Sequence, residues 1–147
     1  MIYEIAQLSD CPLELINGDP VRPHIPVEQR VGVNARILVL RDNVNNTQSV
    51  VCVSFANHVP TTEDDLFDSL CEDPTVATFY TIWSLVPGAG QAMVFAAREW
   101  IKTHRPSVKR IVTLSPHTDM ARRFHLKNGA WELRVNPLTV NFEYSLS

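Results

Sequence analysis

Apolar residues along this chain fall first into short β-branched runs, then into a longer stripe at helical spacing, then into short runs again. N-A-R-I-L-V-L-R (34–41) and S-V-V-C-V-S-F-A (49–56) predict two strands. D-N-V-N-N-T between them is turn chemistry, so they pair as a hairpin. V-A-T-F-Y-T-I-W-S, from Val76 to Ser84, predicts a long central strand. After a P-G-A-G-Q turn (87–91), the apolar positions Ala89, Met93, Ala96, Ala97, Trp100 and Ile101 recur every three or four residues. That spacing predicts a helix from Ala89 to His104 with one buried stripe, and Pro106 stops it. Residues 108–114 read as a buried strand. A-R-R-F-H-L-K-N-G-A (121–130) reads as a short amphipathic helix closed by Gly129. Residues 131–136 and 139–146 read as two last strands, broken at Asn136-Pro137. Strand–helix–strand at this length implies a parallel pair with a right-handed crossover.

The first 33 residues read as a Pro-rich N-terminal arm. Residues 1–8 have the pattern of a first strand. Residues 9–33 hold Pro12, Pro20, Pro23 and Pro26, and because proline cannot donate to a ladder they predict irregular chain wrapping the body. Thr61 and Thr62 stand before Glu63, Asp64 and Asp65, so either caps a short acidic helix running to about Leu70. The expected architecture is one α/β domain over residues 1–147, on a mixed sheet that is antiparallel first and parallel around the crossover.

Composition narrows the class. Apolar residues make up 45% of the chain and charged residues 20%, as in soluble globular domains. No apolar run reaches membrane-spanning length, and the N-terminus M-I-Y-E-I-A-Q-L lacks the basic region of a secretory signal. Cys11, Cys52 and Cys71 are odd in number and widely spaced, which suggests reduced thiols in a cytoplasmic protein. The net charge of −3 hides an asymmetry: residues 1–97 carry four Arg against twelve acids, and residues 98–147 carry nine Lys and Arg against four. A basic half-chain suits a polyanionic ligand, although Arg98, Lys102 and Arg105 equally solvate a helix face.

The glycine turn adds chemistry. Gly88 and Gly90 permit a backbone turn whose N–H groups converge on an anion, with the positive end of the helix dipole at the same spot. The other reading is a tight strand–helix connection. No G-K-[ST] is present, so a nucleotide-triphosphate loop is excluded.

Strand, glycine turn, helix, strand, helix, strand resembles the acetyl-CoA-dependent N-acetyltransferase (GNAT) superfamily. Its phosphate turn usually reads Q/R-x-x-G-x-G/A; Gly88-x-Gly90 matches, while Leu85 stands where the Gln or Arg would be. Its second helix usually ends A-x-x-L-Y-x-K-x-G-F with the tyrosine as general acid, and here that position is His125. F-Y-T-I (79–82), T-L-S-P (113–116), F-H-L-K-N-G-A (124–130), R-V-N (134–136) and V-N-F-E-Y (140–144) resemble, in order, segments of the catalytic domain of malonyl-CoA decarboxylase, which is similar in fold. The chain departs from that family in lacking I-P-G-F after the serine motif, the long insertion before F-H-L and a counterpart of the helical N-terminal domain.

The resemblance implies a GNAT-like fold, with Ser115 and His125 as catalytic residues. It implies a coenzyme A thioester, malonyl-CoA or acetyl-CoA, held by Trp83, Leu85, Gly88, Ala89, Gly90 and Gln91. Losing CO₂ from a malonyl thioester creates an enolate and then needs a proton at carbon. An imidazole titrating near neutrality can deliver that proton, and a hydroxyl can donate to the developing charge. Ser115-Pro116 reads equally well as the start of the following helix. His117, Asp119 and His125 match no standard metal spacing, so no metal is expected. Arg122 and Arg123 either reach the 3′-phosphate or face water. The partner expected is a small-molecule acyl-CoA, with neither nucleic acid nor membrane. An N-acetyltransferase and a non-catalytic acyl-CoA-binding or protein-interaction domain remain the alternatives.

Overall fold

The computed structural model describes residues 1–11, 13–67 and 72–146; the predicted helix end at Leu70 and the thiol Cys71 lie outside them. The predicted hairpin is β2 (Ala35–Arg41) and β3 (Thr47–Ala56), paired antiparallel. Asp42 Oδ1 closes its turn by accepting from the Val44 and Asn46 N–H groups at 3.0 and 2.9 Å. On one side β1 (Ile2–Ile5) adds to β2; on the other β4 (Val76–Ser84) adds to β3, both antiparallel. The crossover through α2 (Ala89–His104) returns as β5 (Arg110–Thr113), parallel to β4 as the pattern predicts. Then come β6 (Ser115–Pro116) and β7 (Trp131–Val135), each antiparallel to β8 (Thr139–Tyr144), which also flanks β5. The strands thus form one mixed eight-stranded sheet.

Each face of the sheet has its own cover. Met93, Val94, Ala97 and Ile101 of α2 pack on Leu38, Val51, Val53 and Phe79. The N-terminal arm covers the opposite face with Ile16, Ile25 and Val27 against Ile37, Val39, Val50, Tyr80 and Trp83. The arm is less irregular than its prolines suggest: it contains α1 (Leu13–Asn17) and a 3₁₀ turn, Val27–Gln29. A wholly buried ion pair, Arg30 Nη1 to Asp19 Oδ2 at 2.7 Å, ties it down. Thr81 Oγ1 on β4 donates to Asp19 Oδ1 at 2.8 Å. Burial alone would raise the Asp19 carboxyl, but N–H groups of Arg22 and Val21, the Arg30 guanidinium and the Thr81 hydroxyl outweigh it and hold the carboxyl below its ordinary value.

Two elements differ from expectation in ways that shape the cleft. The acidic segment forms a 3₁₀ turn, Asp64–Phe67, with Thr62 Oγ1 accepting from the Asp65 N–H at 3.3 Å. Ser115-Pro116 is not a helix start, because Ser115 pairs with Val140 in the sheet. The second helix, α3 (Asp119–Lys127), begins two residues before the predicted position, capped by Thr118, whose hydroxyl accepts from the Ala121 N–H at 3.1 Å.

The sheet opens at one point. The β3–β4 register runs Cys52↔Thr81 and then Val53↔Phe79, so Tyr80 is an extra, bulged residue. The β4–β5 ladder stops beside it, at Phe79↔Thr113, and β4 continues to Ser84 with one edge unpaired. Arg22 of the arm fills the fork: its Nε donates to Tyr80 O at 2.8 Å and its Nη2 to Leu114 O at 2.7 Å. Glu63 holds the remaining nitrogen, Nη1, at 2.5 Å.

Candidate active site

The fork widens into a cleft of about 570 Å³. One wall is β4 from Phe79 to Ser84 with Pro20 and Val21 of the arm; the other is Leu114–Pro116 with Met120, Phe124 and His125 of α3. Gly90, at the start of α2, closes the end next to Phe124. The lining is mainly apolar, and among the described residues its titratable side chains are Tyr80 and His125.

His125 is 5% exposed, and its ring stacks on Phe142 with centroids 5.2 Å apart. Nδ1 lies 2.7 Å from the Tyr144 hydroxyl, so Nε2 is the ring nitrogen left for a ligand. Burial pushes its pKa from 6.5 down to about 4. The imidazole is therefore neutral at pH 7, not poised near neutrality as its residue type suggests. Burial likewise raises the Tyr144 hydroxyl, against a smaller opposite pull from Arg98. Ser115, 3% exposed, has its Oγ 2.8 Å from Thr113 Oγ1 and makes no hydrogen bond to His125 among the described residues.

At the glycine turn Gly88 is the N-cap of α2 with φ 80°, a left-handed conformation, and no side chain caps the helix. The Ala89 N–H bonds Val86 O at 3.3 Å, while Gly90 and Gln91, next in the first turn, keep N–H groups with no partner inside the helix. Gly90 has a second role: a Cβ there would lie 2.8 Å from Phe124 Cε1. Of the residues predicted for the site, the cleft brings together Trp83, Gly90, Ser115 and His125. Gly88, Ala89 and Gln91 belong to the adjoining turn and helix start. Leu85 is 55% exposed and outside the cleft lining, its N–H held by Gln48 O. Trp83 is buried against the arm, and its indole N–H has no hydrogen-bond partner among the described residues.

Part of the basic half-chain is spent internally. Arg98 donates to Ser145 O, Lys102 pairs with Glu99, Arg110 with Glu143 and Arg122 with Glu132. Arg123 and Lys127, one turn apart on α3, are exposed and form no ion pair among the described residues. His117 Nε2 bonds Asn136 O at 2.7 Å, and no cluster of three potential metal ligands occurs among the described residues. No helix among them is long and apolar enough to cross a membrane.

By sequence the chain matches no protein-family model and no curated protein. Solved structures do match. Malonyl-CoA decarboxylase from Rhodopseudomonas palustris aligns with a TM-score of 0.79 at 19% identity, over 100% of this chain and 60% of that one. NAA60 from Arabidopsis thaliana, solved with a bisubstrate analogue, aligns at 0.64 and 15%, over 98% of this chain and 97% of that one. The fold is the GNAT fold. A third GNAT structure, the GNAT-like decarboxylase GphF in complex with isobutyryl-CoA, aligns at 0.59 and 12%, over 76% of this chain and 78% of that one. This chain spans 60% of the length of the malonyl-CoA decarboxylase it matches.

Three groups around the GNAT cleft escaped the reading of the sequence. Arg22 and Glu63 come from segments read as an irregular arm and a short acidic helix. Tyr144 stood inside the V-N-F-E-Y match but was assigned no role; its position two residues after Phe142 on a strand puts both side chains on one face, where both meet His125.

Proposed function

We propose that this protein binds a coenzyme A thioester and decarboxylates a malonyl-type acyl group in the cleft between β4 and β5. The observation that carries this reading is the fork itself: an unpaired edge of β4 opposite His125 and Ser115, with an uncapped helix start beside it. An extended pantetheine amide fits a strand edge that lacks a ladder partner. The N–H groups of Gly90 and Gln91 suit a pyrophosphate oxygen, and the left-handed Gly88 lets the chain turn into the helix without a side chain over the site. Leu85 brings no polar group, so these phosphate contacts come from backbone. Arg123 and Lys127 are the free cations nearest in sequence to the cleft wall.

The chemistry follows from what faces the acyl end. A malonyl carboxylate entering an apolar cleft loses hydration without gaining a cation. As the bond to CO₂ breaks, its electron pair moves into the thioester, and the charge spreads onto an enolate oxygen that a Ser115 hydroxyl can bond. The α-carbon then takes one proton from a water that His125 Nε2 holds by a hydrogen bond, and the hydroxide left behind is neutralised by solvent. One CO₂ leaves and one proton is consumed. The uncharged lining favours this over amine acetylation, since it offers no carboxylate to deprotonate an ammonium acceptor.

Release of labelled CO₂ from [3-¹⁴C]malonyl-CoA, abolished by His125→Ala, is the expected result. If no CO₂ appears but an amine is acetylated from acetyl-CoA, the transferase alternative replaces this reading. If thioesters raise the melting temperature without either reaction, the protein is a binding domain. Should no CoA thioester shift the melt at millimolar concentration, acyl-CoA recognition itself is wrong.

A further inference from the structure

We infer that Thr113 is a positioning residue that fixes the direction of the Ser115 hydroxyl, making Ser115 a hydrogen-bond donor into the cleft. The inference rests on the proposed thioester site for its consequence but not for its geometry.

Thr113 is fully buried at the point where β5 leaves the sheet ladder. The β5–β8 pairs are Ile111↔Tyr144 and Val112↔Glu143; the next position on β8, Phe142, donates its N–H to Thr113 Oγ1 at 3.0 Å instead of to a main-chain carbonyl. That oxygen has a second polar neighbour, Ser115 Oγ, at 2.8 Å. Two residues apart on an extended chain, the two hydroxyls share a face.

The hydrogens can be counted. The Thr113 hydroxyl carries one proton, and the Phe142 N–H needs none of it, being itself a donor. Ser115 Oγ is then the one acceptor that the Thr113 proton has among the described residues. If Ser115 donated to Thr113 instead, the Thr113 proton would be buried with no acceptor, at the cost of an unmade hydrogen bond. The satisfied order runs Phe142 N–H to Thr113, Thr113 O–H to Ser115, and Ser115 O–H outward to the cleft that Ser115 lines. A donor pointing there is what an enolate or thioester oxygen requires, and it is set before the ligand arrives. A Val at this position would keep the shape and lose the instruction.

Hydroxyl-proton NMR of the free, wild-type protein tests the order without any ligand or activity. The Thr113 hydroxyl proton is expected to exchange slowly and to show a cross-peak to Ser115 Hβ, while the Ser115 hydroxyl proton exchanges with solvent too fast to observe. A protected Ser115 proton, or a Thr113 proton as labile as any surface hydroxyl, overturns the inference. The consequence is read on the wild-type complex with [1-¹³C]acetyl-CoA by infrared difference spectroscopy. The thioester carbonyl should absorb at lower frequency in wild type and Thr113→Ser than in Thr113→Val, with Thr113→Ala as the replacement if the valine variant does not fold. In turnover, Thr113→Val should lower kcat about tenfold at unchanged KM and have no effect in a Ser115→Ala background. An equal loss in both backgrounds refutes action through Ser115. If acetyl-CoA does not bind at all, the functional reading falls while the NMR result still decides the proton order.

Discussion

His125 Nδ1 stands 2.7 Å from the Tyr144 hydroxyl, so one hydrogen bond joins α3 to β8 behind the cleft. The bond leaves Nε2 to face the cleft and fixes the ring plane between Phe142 and Phe124. Tyr144→Phe keeps the ring packing and removes the partner of Nδ1. A buried polar atom left unpaired costs about 1–3 kcal/mol. Stability should fall by about that amount, and turnover should drop about tenfold or more as the ring loses its orientation. Denaturant unfolding and steady-state kinetics check it; a variant with full activity would show that the tyrosine merely packs.

The neutral state of His125 makes stability depend on pH. Its pKa is about 4 in the folded protein against 6.5 for an unperturbed histidine. Between those values the unfolded chain binds a proton that the folded chain refuses, so stability rises with pH across the window and is lost as pH falls through it. The difference corresponds to roughly 3 kcal/mol, at 1.36 kcal/mol per unit. Wild type should lose stability from pH 6.5 down to 4 with a slope that His125→Gln does not share. Parallel curves for the two proteins would mean that the imidazole is charged in the native state. Activity should likewise show no limb near pH 6.5 attributable to this ring.

The glycine turn separates into two roles. Gly88 has φ 80° and open space around its absent Cβ, so Gly88→Ala is strained by backbone alone, by about 1 kcal/mol. Gly90 has ordinary helical backbone, but a Cβ would come 2.8 Å from Phe124 Cε1 and 3.1 Å from Ser84 Oγ. Gly90→Ala should therefore push Phe124, and with it the neighbouring His125, whereas Phe124→Leu should relieve the clash. The double variant Gly90→Ala/Phe124→Leu is expected to be more stable than the sum of the two single losses predicts. Simple additivity in thermal melts would deny the contact. Gly88→Val is a poor probe of phosphate binding, because the strain at φ 80° acts whatever the ligand does.

Local pattern carried the elements that obey it. β4 and α2 lie at Val76–Ser84 and Ala89–His104, where apolar spacing and Pro106 put them, because a buried strand and a one-sided helix each impose a period on the sequence. The GNAT fold and the meeting of Ser115 with His125 at one cleft followed from ordered motifs. The fork between β4 and β5 was not legible, since it depends on a bulge at Tyr80 and on Arg22, which arrives from 58 residues away. Nor was the neutrality of His125, because its burial depends on Phe142 and Tyr144 of β8 closing over the α3 ring, a contact between separate elements. Ser115 was ambiguous for a local reason: Ser-Pro suits a helix start, and only the pairing with Val140 assigns it to a strand.

The buried pair in the arm yields an asymmetric prediction. Asp19 accepts from the N–H groups of Val21 and Arg22 at 2.8 and 3.0 Å and from Thr81 at 2.8 Å, besides Arg30. Its charge thus keeps three donors when Arg30 is removed. Arg30 is wholly buried, with the carbonyls of Ile25 and Arg22 and the Cys52 sulfur as its other partners and no second carboxylate among the described residues. Removing one partner of a buried pair costs roughly 3–5 kcal/mol. Asp19→Ala should lie at the top of that range, because a guanidinium is left uncompensated, and Arg30→Met at or below the bottom. The double variant should be more stable than Asp19→Ala alone, since it removes the stranded charge. The depressed Asp19 carboxyl adds stability that is present above its unfolded pKa and lost as pH falls through the folded one. Arg30→Met should move that acid transition upward. Because the arm also delivers Pro20 and Val21 to the cleft, Asp19→Ala should weaken thioester binding, with the loss read as a rise in KM. Equal destabilisation by the two single variants, or a double variant no more stable than Asp19→Ala, would mean that the arm is held by its apolar contacts and that the ion pair does not set its place.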